Sequence, residues 1–132
     1  MERVKPVRVE PHLAAAGLGI ALLVQPVLAQ TQIELDQQAG AEFHKADGEL
    51  NALYRDLTHK VSSAGQGKLR AAQQAWLRFR DSECAFETAG SEGGSVHPMV
   101  ETECRTELTR QRNQQLKAQL SCKEGDLSCG GQ

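Results

Sequence analysis

The chain has 132 residues and a formal net charge of −2, and only 4% of its residues are aromatic. This length fits one small domain, and the slightly acidic balance argues against a nucleic-acid partner. With so few large aromatic side chains the core must be thin, so we expect covalent cross-links to contribute to stability.

The first 29 residues have the three parts of a secretory leader. Basic side chains precede a run of 12 apolar or small residues at positions 13–24, which is too short for a stable membrane anchor. Pro26 then breaks the helix and small or apolar residues follow it, so we predict cleavage of a signal peptide, residues 1–29, after Ala29. The alternative is an N-terminal helix that stays attached. Cleavage predicts a periplasmic or secreted protein without a membrane anchor.

Helix one is predicted from apolar periodicity. Apolar residues recur at alternating four- and three-residue steps from Ala39 to Leu57, which places them on one helical face. The segment Ser62–Gly67 contains two glycines and interrupts the pattern. Because this break is short, we expect the second helix to return antiparallel to the first.

Helix two is predicted from about Lys68 to Thr88 and contains the only tryptophan of the chain, Trp76. Side chains three, four and seven residues from Trp76 fall on the same helical face. We expect this face to be the centre of the core. Its other members are Leu69, Ala72 and Phe79.

Helix three is predicted to follow the glycine-rich break Ala89–Pro98 and to continue to Leu120. Pro98 suits the first turn of a helix, where its missing N–H is not needed. Residues 30–121 are therefore expected to form an all-α, antiparallel three-helix domain. Residues 122–132 have no helical period and predict a cystine loop with a C-terminal tail.

Four cysteines lie after the predicted cleavage site, at positions 84, 104, 122 and 129. An even number in a short exported chain indicates two disulfides, and the spacings fit no zinc pattern. Of the three possible connectivities we predict the nearest-neighbour pairs, Cys84–Cys104 and Cys122–Cys129. The first pair would clamp the loop between helices two and three.

Few residues fit catalytic or metal chemistry. His44 and Asp47 share a helical face without a third ligand in sequence reach, which favours a solvated surface over a metal site. No nucleophile motif is present, and so small a domain leaves little room for a cleft with paired carboxylates. We therefore expect no metal, no cofactor and no enzymatic activity.

Arg80 and Asp81 follow one another near the end of helix two. Arginine makes fixed, bidentate pairs with carboxylates, so a structural polar layer between helices one and two is the favoured interpretation and a binding role the alternative. The expected partners on helix one are Asp47, Glu49 and Asn51.

The charge distribution is the most informative functional feature of the residues themselves. Between Arg80 and Arg105 there are six carboxylates and no lysine or arginine. Such a run ordinarily means a solvated face, but here the acids would meet around the glycine-rich loop at one end of the molecule. We call residues 83–101 the tip. An acidic tip is suited to attract a cationic partner, and the predicted partner-binding residues are Glu83, Glu87, Glu92, Ser95, His97 and Glu101.

Four segments carry a resemblance to a known family: EFHKADGELNALY at 42–54, LRAAQQAWLRFRDSEC at 69–84, GGSVHPM at 93–99 and CRTELTRQR at 104–112. Together they resemble the LprI-like family of small exported bacterial proteins. Many members of that family have a cysteine early in helix one, and the member from which the family takes its name has a cysteine that anchors it to lipid. This chain has neither cysteine.

A mycobacterial member of that family is described as an inhibitor of lysozyme. The resemblance therefore implies a protein-binding domain that occludes a cationic lysozyme. The alternative is a non-enzymatic accessory or structural module of the cell envelope without a lysozyme target. The resemblance assigns no inhibitory residues, so the predicted site rests on the charge distribution. Oligomeric state is not implied by either reading.

Overall fold

The computed structural model describes residues 31–123 and 125–130. The predicted signal peptide and its cleavage site lie outside the described residues, as do positions 124, 131 and 132. Within the described ranges, none of the helices has the length of apolar sequence that crossing a bilayer requires.

Three long helices make up most of the described chain: α1 (Gln32–Lys60), α2 (Ser63–Glu87) and α3 (His97–Leu120). One turn of 3-10 helix, Ala89–Ser91, lies between α2 and α3, and no described residue belongs to a strand. α1 and α3 lie side by side along their length, and α2 runs antiparallel to both. The predicted all-α, antiparallel three-helix architecture is confirmed.

α1 and α2 begin where a side chain satisfies backbone N–H groups that have no partner within the helix. Thr31 accepts a hydrogen bond from the backbone of Glu34, whose carboxylate accepts one from the backbone of Thr31. Ser62 caps α2 by accepting from the N–H of Gly65. The predicted break over Ser62–Gly67 is therefore too long: two residues separate the helices, because the cap offsets the weak helix propensity of the glycines.

The apolar core lies along the seam between α1 and α3. Leu50, Leu57 and Leu116 are each at most 2% exposed and pack with Val61. The first two belong to the periodic stripe that predicted helix one. The stripe thus faces α3 along its length, and burial of its leucines contributes about 2 kcal/mol each.

The prediction that the core is centred on Trp76 is wrong. Trp76 is half-buried at the edge of the α1–α3 cluster, whereas Phe79 is 51% exposed and Ala72 is exposed as well. The reason is that α2 meets its neighbours along a narrow line in which Gln73 and Arg80 are buried. Most of its surface, including the second half of the predicted apolar face, points away from the domain.

Polar side chains replace apolar ones in the centre of α3. Thr106, Thr109 and Asn113 are at most 3% exposed. The two threonines donate to carbonyl oxygens one turn earlier in the helix, and the amide of Asn113 donates to the backbone oxygen of Ala46 at 3.0 Å. These bonds satisfy the donor groups, whereas Oδ1 of Asn113 is buried without a hydrogen-bond partner among the described residues. The bond from Asn113 to Ala46 joins two helices and fixes the register of α3 against α1.

Glu49 ties α1 to α3 through Lys117 and Asn113. A hydrogen bond from Lys117 and its positive charge, with a further hydrogen bond from Asn113, lower the pKa of Glu49 below its ordinary value of 4.5. In the unfolded chain the carboxyl then binds its proton at higher pH than in the folded state. The resulting stabilisation is complete above pH 4.5 and is lost as the pH falls through the pKa of the folded state.

We therefore expect Glu49→Gln to lower the free energy of unfolding at pH 7 by less than about 1 kcal/mol, because the pair is half-exposed and screened by solvent. Urea titrations at several pH values measure this difference. It should shrink as the pH falls below 4.5. A difference that stays constant down to the acid limit would show that the charge of Glu49 is not the cause.

The two predicted disulfides are both present, Cys84–Cys104 between α2 and α3 and Cys122–Cys129 in the C-terminal segment. The second closes the predicted cystine loop. This loop is held at the end of α1 by Lys60, whose ammonium group donates to the backbone oxygens of Leu120 and Cys122 at 2.7 and 2.8 Å. A cation at the carboxyl end of α3 is also favoured by the helix dipole.

Candidate protein-binding site

The loop at the tip is a series of tight turns. The backbone N–H of Ser91 donates to Thr88, that of Gly94 to Ser91 and that of His97 to Gly94, with donor–acceptor distances of 2.9–3.2 Å. Gly93 has a φ of +78°, a left-handed conformation that strains any residue with a side chain. Glycine at this position therefore lets the chain reverse sharply and enter α3, where Pro98 occupies the first turn as predicted.

The Cys84–Cys104 disulfide closes the base of this loop. Cys84 is fully buried, and the two Cα atoms lie 5.6 Å apart. Oε2 of Glu87 lies 3.3 Å from Sγ of Cys104. This is a contact and not a hydrogen bond, because a disulfide sulfur has no proton to donate. The clamp holds the ends of the loop at fixed separation and brings Glu87 beside it.

His97 joins the loop to α3. Oγ of Ser91 donates to the backbone oxygen of Thr88 at 2.8 Å and lies 2.9 Å from Nδ1 of His97. Since the hydroxyl has one proton and donates it to Thr88, Nδ1–H of the imidazole is the donor in the second contact. Nε2 lies 3.8 Å from a carboxylate oxygen of Glu101. The ring therefore braces the loop against the first turns of α3.

A ladder of ion pairs continues from Glu101 into the domain. Arg105 contacts Glu101 at 2.7 Å and Asp81 at 3.9 Å, and Arg80 contacts Asp81 at 2.9 Å and Asp47 at 3.6 Å. The carboxylates of Glu101 and Asp81 are thus neutralised by arginines from their own fold. Two of the six carboxylates in the acidic run do not contribute free negative charge.

Arg80 is the buried member of this ladder. Its side chain is 9% exposed, and its guanidinium lies 5.4 Å from the ring centroids of both Phe43 and Trp76. Nη1 also donates to the hydroxyl of Thr109 at 3.4 Å. Among the expected partners on α1, Asp47 contacts Arg80 and Asn51 donates to Asp47, whereas Glu49 is bound to α3 instead. The structural interpretation of Arg80 is the one that these contacts favour.

The six predicted partner-binding residues divide into three groups. Exposed at the tip are Glu87, Glu92 and Ser95. Half-buried and engaged within the tip are His97 and Glu101. Glu83 is half-buried on α2 at the base of the tip. Neither Glu87 nor Glu92 has an ion pair among the described residues, so their negative charge is available to a partner.

Arg105 was not predicted to belong to this site. In the sequence it only marks the end of the acidic run, although its spacing of four residues from Glu101 on one helix was a signal for an ion pair. The contact with Asp81 on another helix could not be read from spacing. Together these contacts turn the predicted acidic surface into an internally braced loop with two exposed carboxylates.

The polar groups of the tip are not arranged as a catalytic triad. Ser91, His97 and Glu101 are the residue types of a catalytic triad, but the serine hydroxyl is bonded to a backbone oxygen and the imidazole donates to it. The Ser91 proton is thus directed to Thr88 and not to His97, the residue that would have to act as general base. In the described part of the chain no three histidine, cysteine or acidic side chains lie close enough to hold a metal ion.

A groove of about 400 Å³ lies near the opposite end of the molecule, where α1, α2 and α3 meet the C-terminal segment. Leu57, Leu69 and Arg112 are among its lining residues. Burial lowers the pKa of Arg112, which already donates to Gln73 and to Gln115. Arg112 is therefore used within the fold, and Lys68 is a second cation that lines the groove. The tip, with its exposed Glu87 and Glu92, is the better candidate for a cationic partner.

Comparison with known proteins identifies the family. Residues 26–116 match the sequence model of the family described as "Lysozyme inhibitor LprI". A protein of Rhizobium meliloti (strain 1021), named "Uncharacterized protein R02472", is 35% identical over 109 residues, which cover 73% of this chain and 78% of that protein. No solved structure gives a significant match. The family match spans all three helices up to Leu116 and includes the tip, and the chain therefore belongs to the LprI lysozyme-inhibitor family.

Proposed function

We propose that this chain binds and inhibits a lysozyme as a non-enzymatic protein ligand. The match of residues 26–116 to the LprI lysozyme-inhibitor family is the observation that carries this proposal. Two disulfides further support action in an oxidising compartment, the periplasm or the exterior of the cell. The predicted signal peptide is in keeping with that location.

The tip is the surface that we assign to this interaction. Its loop is narrow and closed by a disulfide, and its conformation is braced by His97 and Glu101, so little conformational entropy would be lost on binding. Glu87 and Glu92 extend negative charge outward, and Ser95 offers a hydrogen-bonding group. Val96, which is 37% exposed, adds a small apolar contact.

The charge of the target explains how such a tip would work. Animal-type lysozymes are strongly basic, and they cleave their substrate between two carboxylates in a cleft. The free carboxylates of the tip would attract the basic surface around that cleft and speed association. The loop from Gly90 to Pro98 would then cover the cleft and exclude the polysaccharide. His97 would lie near the enzyme carboxylates and hold the loop in shape through Ser91 and Glu101.

Charge reversal tests this assignment. We expect the double variant Glu87→Lys/Glu92→Lys to associate with lysozyme about tenfold more slowly than the wild type at low salt, and the difference to shrink as salt screens the charges. Stopped-flow or surface-based kinetics across a salt series would measure both effects. Glu83 is left unchanged in this variant because it is half-buried at the base of the tip.

A matched control keeps the net charge change and moves it away from the tip. Asp56 and Glu107 are exposed on α1 and α3, and Asp56→Lys/Glu107→Lys should retain most of the wild-type association rate. Equal slowing by the two double variants would mean that net charge and not the tip governs association. Wild-type rates for Glu87→Lys/Glu92→Lys would remove the tip from the proposal.

A further inference from the structure

α2 carries a second, largely apolar stripe on the side that faces away from the domain. Toward α1 and α3 its buried side chains include the polar Gln73 and Arg80. On the other side, Phe79 and Phe86 are 51% and 78% exposed. They belong to a row of five exposed residues, which we call the outer stripe: Ala72, Ala75, Phe79, Ser82 and Phe86.

The spacing of the outer stripe is that of a coiled-coil seam. Successive members are three, four, three and four residues apart, which are the a and d positions of two heptads. At 3.6 residues per turn the centre of the stripe lies roughly 130° around α2 from the buried polar line. A second helix could therefore pack on the stripe without meeting α1 or α3.

The charged residues beside the stripe favour one orientation of that second helix. Arg78 lies on one flank, at a g position, and Glu83 on the other, at an e position. Neither has an ion pair within residues 31–123 or 125–130. In a parallel two-helix coil each g residue faces the e residue of the partner five positions further along, and Glu83 follows Arg78 by five. The surface is thus complementary in charge to a copy of itself.

We propose that the outer stripe of α2 is a self-association surface, on which a second copy of this chain docks with the two α2 helices parallel. Phe79 and Phe86 contact their counterparts across the two-fold axis, and Arg78 of each copy pairs with Glu83 of the other. The small members of the stripe let the helix backbones approach. This inference does not depend on lysozyme as the target.

The seam covers only two heptads, so the dimer is weak, with a Kd on the order of 100 μM. Sedimentation equilibrium of the oxidised chain from about 10 μM to about 1 mM should follow a monomer–dimer equilibrium. Phe79→Ser/Phe86→Ser should be monomeric throughout and, because both rings are exposed, should unfold at a temperature close to that of the wild type. Dimerisation of this variant equal to that of the wild type would contradict the proposal.

Charge exchange tests the orientation. Arg78→Glu and Glu83→Arg, each alone, should weaken dimerisation about tenfold or less by placing like charges together, and the double variant should restore it. In an antiparallel pair Arg78 would face Arg78 and no rescue would occur. Arg70→Glu, an equal charge change at an exposed position off the stripe, is the control and should leave the Kd unchanged.

Absence of rescue, or a wild-type chain that stays monomeric up to about 1 mM, overturns the proposal. A wild-type chain that stays monomeric would overturn the proposal even if Phe79→Ser/Phe86→Ser weakened binding to a lysozyme. The stripe would then serve a different partner. Dimerisation is measured without lysozyme, so its failure leaves the proposed inhibition untouched.

Discussion

Replacing Arg80 with alanine is expected to lower the free energy of unfolding by about 3 kcal/mol. The variant leaves Asp47 without its cationic partner, deprives the buried hydroxyl of Thr109 of a neighbour, and opens a void between the rings of Phe43 and Trp76. Asp47 is partly exposed, which keeps the expected loss at the lower end of the range for a broken buried ion pair. Urea denaturation followed by the fluorescence of Trp76 would measure it.

Two further variants separate charge from geometry. Arg80→Lys keeps the charge but cannot reproduce the planar contacts with both carboxylates and both rings, so we expect an intermediate loss. Arg70→Ala removes an exposed arginine of the same helix and should change stability by less than about 0.5 kcal/mol. If Arg80→Ala were as harmless as Arg70→Ala, the ladder from the tip to the domain would have no structural role.

Removing the Cys84–Cys104 disulfide by Cys84→Ala/Cys104→Ala is expected to lower stability by about 3 kcal/mol, the chain-entropy value for a loop of this size. The same change should also weaken binding of a partner at the tip. Without the clamp, the ends of the loop separate more freely, and ordering it on binding then lowers the affinity. Thermal unfolding and lysozyme inhibition, measured on one preparation, report the two effects.

The second disulfide is the matched control. Cys122–Cys129 closes a shorter loop in the C-terminal segment, with a chain-entropy value of about 2.5 kcal/mol. Cys122→Ala/Cys129→Ala should therefore lose stability too, but keep its inhibitory strength at temperatures where it is folded. Equal loss of inhibition in both variants would mean that general stability, and not the shape of the tip, sets the affinity.

Those elements of the fold that depend on local pattern could be predicted from the sequence. The stripe from Ala39 to Leu57 predicted α1 and its buried face, and the nearest-neighbour cysteine pairing proved correct. The seam on α3 could not be predicted in the same way, because its centre is buried through Thr106, Thr109 and Asn113, which carry no hydrophobic periodicity. The threonines donate within α3, and the hydrogen bond from Asn113 to Ala46 exists only in the assembled fold.

The orientation of α2 could not be predicted from the pattern of its own residues either. Trp76 and Phe79 share one apolar face by spacing, yet the first lies at the edge of the core and the second is exposed. The orientation of α2 is set by the contacts of Arg80 with Asp47 and Thr109 and by the disulfide at Cys84. These contacts join residues that are far apart in sequence, so a helical wheel of α2 alone cannot reveal them.

The candidate site, like the fold, could be predicted from the sequence only in part. The run of acids and the glycine-rich loop were visible in sequence, and the structure brings Glu87 and Glu92 to the exposed end of the molecule. The spacing of Arg105 from Glu101 signalled one ion pair, but the contact of Arg105 with Asp81 was not visible, because Asp81 lies on another helix. The charge presented to a partner is therefore smaller and more localised than the sequence alone implies.

The central claim, inhibition of a lysozyme, is tested most directly by the lysis of a bacterial cell-wall suspension. Oxidised protein without the predicted signal peptide would be titrated into the enzyme at low and moderate salt. We expect the rate of lysis to fall to near zero at about one equivalent at low salt, and inhibition to weaken as salt screens the tip. Undiminished lysis by several types of lysozyme, with the protein in molar excess, would contradict the account and favour an envelope module without a lysozyme target.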